Sequence, residues 1–183
     1  MHSEHRNLME RLRELGLLAE LPSARLALAL DYQLTRPEDA PIRAALGEEL
    51  GRRFAQEARI LPLGCAAAVL DVVYVEARRE SRNSLWAMSQ AYHDVVRDRV
   101  TPGVRAMSTP AILEALEAIA DESRHDSGQD NARRLVYLAE LCDRHPEAEQ
   151  AHEEWDQAED QTDEECRRGP SQVVIAAVRR TMG

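Results

Sequence analysis

Residues 41–54 read PIRAALGEELGRRF, and this stretch carries a large apolar side chain at every fourth position. Those side chains belong to Ile42, Leu46, Leu50 and Phe54. A four-residue spacing places them along one face of an α-helix, and proline is favoured at the first helical position. The stretch therefore predicts an amphipathic helix from Pro41 to about Arg59 that buries this face.

The same helical spacing recurs outside this stretch, and no alternating run of β-branched residues indicates a strand. A chain of 183 residues, 44% of them hydrophobic, is long enough to form one domain with a core. The sequence thus predicts an all-α protein, a single-domain irregular helical bundle of about seven to nine helices spanning residues 1–183.

Three local features refine this prediction. Residues 66–77 are apolar almost all round, which predicts the most buried helix, with Asp71 paired to an arginine inside it. Whether residues 65–100 form one helix or two is left open, although average helix lengths favour two. Thr101-Pro102-Gly103 predicts the end of a helix.

The composition excludes several classes of enzyme and favours a reducing compartment. The chain has no lysine, so Schiff-base chemistry, pyridoxal phosphate attachment and the phosphate-binding P-loop are excluded. Cys65, Cys142 and Cys166 are far apart and form no CxxC motif, which favours a cytoplasmic location without a disulfide framework. The longest apolar stretch is too short to span a bilayer, and the first residues lack the apolar core of a signal peptide.

The negative charge is concentrated in one segment. Residues 145–166 contain 10 of the 33 acidic residues and no arginine, so the acids elsewhere equal the 23 arginines in number. The formal net charge of −10 therefore belongs to this segment. We expect an acidic helix at about 146–166, opened by Pro146. Whether this helix is docked or free is left open, but a narrow apolar seam with Trp155 as its anchor can dock it: Ala148, Ala151, Trp155 and Ala158.

A charged run is commonly just a solvated face, but it can also dock a basic partner. We favour a non-enzymatic regulatory protein, an adaptor or inhibitor, that binds a basic protein surface. The candidate partner-binding residues are Glu153, Glu154, Trp155, Asp156, Glu159 and Asp160. No cofactor, membrane or nucleic acid is expected, and homo-oligomer formation is left open. Adjacent arginines such as Arg52-Arg53 are expected to pair with nearby glutamates instead of forming a nucleic-acid groove.

The alternative function is that of a metal-dependent helical enzyme. Two ExxH units, Glu122 to His125 and Glu149 to His152, each place both side chains on one helix face. Paired ExxH units with two further carboxylates form the di-iron sites of some helical bundles.

A second arrangement loosely resembles helical metal-dependent phosphohydrolases. His93, His125-Asp126 and Asp160 follow the H…HD…D order of that family, which would imply bound metal and phosphate-ester hydrolysis. The apolar residues that usually precede the His-Asp pair are missing here, which weakens the resemblance.

Overall fold

The computed structural model describes residues 17–34, 36–121, 127–158 and 169–182. All regular structure in these ranges is helical, which confirms the prediction of an all-α helical bundle. The chain divides into two compact units, Met1–Val95 and Val96–Gly183, and the boundary between them falls inside one long helix. Each unit has its own core.

Eight α-helices lie within the described residues, in agreement with the expected number. They are α1 (Ser23–Leu28), α2 (Ala40–Ile60), α3 (Leu63–Glu80), α4 (Asn83–Arg105), α5 (Thr109–Asp121), α6 (Gly128–Arg144), α7 (Pro146–Gln157) and α8 (Ser171–Met182). Short 3-10 helices occupy Leu17–Glu20 and Pro37–Asp39, and a π-helical turn follows α1 at Ala29–Gln33.

The core of the first unit joins α1 and its π-helical turn to α2. The predicted buried face of α2 is confirmed, although Phe54 at its end is only half-buried. The buried residues of this core are Leu26, Ala29, Leu30, Leu34, Ile42, Leu46 and Leu50. The turn also orders the start of α4, because the Asp31 carboxylate accepts hydrogen bonds from the backbone N–H of Ser84 at 2.7 Å and from its hydroxyl at 2.5 Å.

Arg53 of α2 holds the segment that precedes α1. Its guanidinium donates to the carbonyl oxygens of Leu18, Ala19 and Leu21 at 3.1, 3.1 and 2.6 Å. It also donates to the Ser23 hydroxyl at 2.9 Å and to the Glu49 carboxylate at 2.7 Å. Carbonyls at the end of a short helix lack partners within that helix, so one planar donor fork satisfies several of them together.

Residues 65–100 belong to two helices, which settles the point that the sequence left open, and α3 ends where Ser81 adopts a left-handed backbone at φ 51°. The expectation that 66–77 is the most buried helix is wrong. Val72 is 65% exposed and Val75 is 41% exposed, whereas the opposite face of α3 is buried. Asp71 is half-buried beside that face. The prediction failed because residues 66–77 are apolar on all sides, whereas only one side of α3 packs against other residues.

The expected helix end at Thr101-Pro102-Gly103 is also wrong, because α4 runs through Pro102 to Arg105. Val104 lies one turn beyond Thr101 and is only 4% exposed, within the core of the second unit. The Thr101 hydroxyl donates to the carbonyl oxygen of Arg97 at 2.8 Å. Proline at position 102 removes one backbone hydrogen bond from the helix, and the burial of Val104 offsets this cost.

The second unit packs α5, α6, α7 and α8 around one core, with the end of α4 contributing Val104. The helix α8 contacts α5, α6 and α7. The buried side chains include Ile112, Leu113, Leu116, Val136, Leu138, Leu141, Ala148, Val174, Ile175 and Val178. Arg144 at the end of α6 donates to the carbonyl oxygens of Met107 at 2.7 Å and Arg105 at 2.9 Å, and to Glu140 at 2.8 Å.

Replacing Arg53 with lysine should lower the free energy of unfolding by about 1–3 kcal/mol, because one ammonium group cannot serve four neutral oxygens and a carboxylate together. The matched control is Arg52→Lys, since Arg52 is exposed and bonds only to Glu49 among the described residues. Urea unfolding followed by circular dichroism measures both variants. Equal stability of Arg53→Lys and Arg52→Lys would contradict the role given to Arg53.

The carboxylate of Glu49 makes the free energy of unfolding depend on pH in the acidic range. Its pKa is lowered from 4.5 to about 2, chiefly by the hydrogen bond from Arg52 and also by that from Arg53, against an opposing effect of burial. Because the pKa is lower in the folded state, the stabilisation is complete above pH 4.5 and is lost as the pH falls towards 2.

Replacing Glu49 with glutamine should therefore reduce the fall in unfolding free energy between pH 5 and pH 2.5 by about 1–2 kcal/mol. Thermal unfolding across this pH range checks the expectation. The neighbouring exposed Glu48 provides the control, and Glu48→Gln should follow the wild-type pH profile. Parallel profiles for Glu49→Gln and wild type would show that this carboxylate does not cause the acid sensitivity.

Candidate partner-binding site

The acidic segment begins as the helix α7, whose first turn suits its sequence. Pro146 takes the first helical position, and Glu147 and Glu149 lie in the first turn, where negative charge is favoured. Glu153, Glu154 and Asp156 follow towards the other end, where the helix dipole disfavours negative charge. The helix ends at Gln157, since Ala158 has an extended backbone. Residues 159–166 of the expected acidic helix lie outside the described residues.

The helix α7 docks on the body of the second unit through the start of its predicted seam. Ala148 is fully buried in the core formed with α6 and α8. Its small side chain allows the backbones to approach closely. Ala151 and Trp155 are half-buried, and Ala158 is exposed. The apolar contact therefore weakens along the helix, and Ala148, not Trp155, is the most buried residue of the seam.

Where the contact weakens, an open groove lies between α7 and α8. It consists of two adjoining depressions of about 350 and 500 Å³ that share Ala151, Glu154 and Arg180. Apolar lining comes from both helices: Trp155 and Ala151 from α7, and Val173, Ala176 and Ala177 from α8. Val173 is 38% exposed, which leaves apolar surface accessible in the larger depression.

The rim of the groove on the α7 side is negatively charged. Glu147 and Glu154 line it, while Glu149, Glu153 and Asp156 are exposed elsewhere on the same helix. Among the described residues no arginine forms an ion pair with these five carboxylates. The hydrogen-bond and ion-pair partners found for these acids in the described chain are uncharged or weakly basic: the Gln150 amide donates to Glu154 at 2.8 Å, and His152 Nδ1 lies 3.4 Å from Asp156 Oδ2.

Acids elsewhere in the described chain are commonly paired with arginine. Glu117 binds Arg179, Glu140 binds Arg144, and Glu49 binds two arginines. Negative charge at the start of α7 also acts on a neighbouring thiol. Burial raises the pKa of Cys142, and the negative charges of Glu149 and Asp143 raise it further. The surface of α7 is thus a region of negative potential beside an apolar groove.

The structure places the predicted partner-binding residues in three groups. Glu154 and Trp155 line the groove, and Glu153 and Asp156 are exposed on α7 without lining it. Glu159 and Asp160 lie outside the described residues. The wall formed by α8 was not predicted. The spacing of Val173, Ala176 and Arg180, which sets them apart from the buried face of α8, is the sequence signal that could have indicated it.

The residues of the alternative metal sites are only partly described. Glu122, His125 and Asp126 lie outside the described residues, as does Asp160. Glu149 is exposed on α7, and His93 is buried with its Nδ1 3.7 Å from Asp94 Oδ1. Within the described ranges no three histidine, cysteine or carboxylate side chains are grouped so that they could hold a metal ion. The metal-dependent enzyme stays a prediction.

Comparison with protein-family models, with curated proteins and with solved structures found no match for this chain. None of the helices in the described part of the chain combines the length and the hydropathy needed to cross a membrane.

Enlarging the buried Ala148 tests how α7 is held. We expect Ala148→Leu to lower the unfolding free energy by about 1–3 kcal/mol, because added methylenes overfill a close helix contact. Amide exchange in 146–157 should also become faster. Urea unfolding and hydrogen exchange provide the measurements.

The control for this substitution is Ala158→Leu, which makes the same change at an exposed position just beyond α7. It should change the unfolding free energy by less than about 0.5 kcal/mol. If Ala148→Leu were as stable as Ala158→Leu, the close docking of α7 at Ala148 would be refuted.

Proposed function

We propose that this protein is a non-enzymatic regulatory protein, an adaptor or inhibitor, that docks a basic partner protein on the acidic surface of α7. The observation that carries the proposal is the set of exposed carboxylates on α7, which no arginine of the described chain pairs, beside an open apolar groove. Glu153, Glu154, Trp155 and Asp156 are the described residues assigned to binding.

The charge of α7 supports a cationic partner. Like charges one helical turn apart, such as Glu149 and Glu153, repel one another at a cost of a few tenths of a kcal/mol for each pair. Arginine or lysine side chains of a partner would remove this repulsion and find carboxylates that no arginine in the described chain occupies. Complementary charge also speeds the encounter of the two proteins and selects against acidic partners.

The apolar groove indicates that the partner also carries a large apolar side chain, in addition to its basic residues. A large apolar side chain from the partner would fill the depression beside Trp155 and Val173 and remove that surface from water. Arg180 on the opposite wall disfavours a uniformly cationic segment. The proposed ligand is therefore an amphipathic helical segment with a large apolar anchor and arginine or lysine residues towards α7.

The proposed site of action is the cytoplasm. Cys65 is an exposed free thiol and Cys142 a half-buried one, and a reducing compartment preserves both. An interaction of this kind is regulated by ionic strength and by modifications that change the partner's charge.

Selection from a display library of random peptides tests this function with a defined probe. We expect the enriched peptides to combine net positive charge with a large apolar residue. The affinity of the best peptide, measured by fluorescence anisotropy, should fall about tenfold in the variant Glu153→Gln/Glu154→Gln/Asp156→Asn. The affinity should also fall as salt is raised, because exposed charges are screened.

The matched control neutralises three exposed acids on helices other than α7, Glu48→Gln/Asp98→Asn/Glu114→Gln. It removes the same total charge, and we expect it to change the affinity less than about twofold. Enriched peptides without positive charge would count against the proposal. So would equal losses in both triple variants, since the effect would then follow the net charge and not the surface of α7.

A further inference from the structure

The exposed face of α3 carries an apolar stripe with a regular repeat. Cys65, Ala68, Val72 and Val75 are exposed and follow spacings of three, four and three residues, and Arg79 continues the series. This is the heptad spacing that brings two helices together side by side. The stripe lies opposite the buried face of α3, which contains Ala66, Leu70, Val73 and Ala77.

The charges beside the stripe fit an antiparallel copy of the same helix. Asp71 and Arg78 lie on one flank of the stripe, seven residues apart, and Glu76 lies on the other flank. If Val72 of one copy faces Val75 of the other in antiparallel orientation, Asp71 lies alongside Arg78 of the second copy. The two-fold symmetry of such a dimer forms this pairing twice.

A parallel pair of the same helices lacks this complementarity. In a parallel pair, the residue just before one stripe position lies beside the residue five positions further along the other helix. Asp71 would then lie beside Glu76 of the second copy, again twice, and like charges in such positions repel. The flanking charges therefore select the antiparallel orientation.

The side-chain sizes along the stripe also match in the antiparallel arrangement. The register that pairs Val72 with Val75 places Ala68 opposite Arg79. The small alanine leaves room for the long aliphatic stem of arginine, whose guanidinium lies 3.5 Å from Glu76 in its own chain.

We propose that the occupant of the α3 stripe is a second copy of this chain, packed antiparallel with Val72 against Val75 and Asp71 beside Arg78. The contact extends over about 21 Å of helix from Cys65 to Arg79, which is a small interface. The dimer is therefore a weak, concentration-dependent one. It involves the first unit, whereas the acidic surface of α7 belongs to the second.

Sedimentation velocity of the full chain tests the dimer over about 1–500 µM at low ionic strength, with the cysteines kept reduced. We expect a monomer–dimer equilibrium in the wild type, and Val72→Glu should weaken it about tenfold or more, because it places two charges in the apolar contact. The control is Leu28→Glu, at a 53% exposed position on α1, which should leave the equilibrium unchanged. Circular dichroism verifies that each variant is folded.

Charge exchange then tests the orientation. Asp71→Arg and Arg78→Asp alone should each weaken the dimer about fivefold by creating two like-charge contacts, and the double variant should restore it. In a parallel pair, Asp71→Arg would strengthen the dimer, because the introduced guanidinium would meet Glu76 of the second copy. A wild type that is monomeric at every concentration overturns the proposal, as does a dimer insensitive to Val72→Glu or strengthened by Asp71→Arg.

Discussion

The structure depends on arginine side chains that bind backbone carbonyl groups between helices. Arg53 satisfies three carbonyls before α1, and Arg144 satisfies two carbonyls at the end of α4 and just beyond it. Each guanidinium is also held by a glutamate one turn earlier, Glu49 or Glu140, which fixes its direction. Carbonyl groups at the end of a helix lack a partner within that helix, and burying them without a hydrogen bond costs free energy. One arginine that donates to several of these carbonyls therefore stabilises the segment that joins two helices. Arg43 acts in the same way on the carbonyls of Leu34 and Arg36.

The surface of α7 differs from the rest of the described chain in lacking such arginine partners. In a chain without lysine, arginine is the only strong cation available, and the acids near Arg53 and Arg144 are compensated by it. The acids of α7 have no such partner among the described residues, although Arg180 lies across the groove. Keeping like charges together without compensation destabilises the helix that carries them. The proposed basic partner would supply the positive charge that arginine side chains supply to other acids of the chain.

The sequence predicts a helix correctly where the signal is local. It does not predict a helix end that is determined by contacts with residues far along the chain. The repeat of Ile42, Leu46 and Leu50 with Pro41 ahead of it is local, and α2 agrees with it. Pro102 is also a local signal, but the burial of Val104 by residues far along the chain overrides it. The groove could not be predicted for the same reason, because its second wall comes from α8 and depends on the packing of α7 against α8. The acidic residues were found because charge concentration can be counted without knowing the fold.

The two proposed surfaces differ in chemistry, and this difference determines how they would act together. The α3 stripe is apolar and is proposed to bind a second copy of itself, whereas the negative charge on α7 opposes contact between two such surfaces. Association through α3 would give a dimer with two acidic surfaces, which increases the apparent affinity for a partner that carries two basic segments with a suitable spacing. A weak α3 contact would then make partner binding depend on the concentration of the chain, since the monomer offers only one such surface. Self-association and partner binding would therefore be linked through avidity, without any change in the conformation of α7.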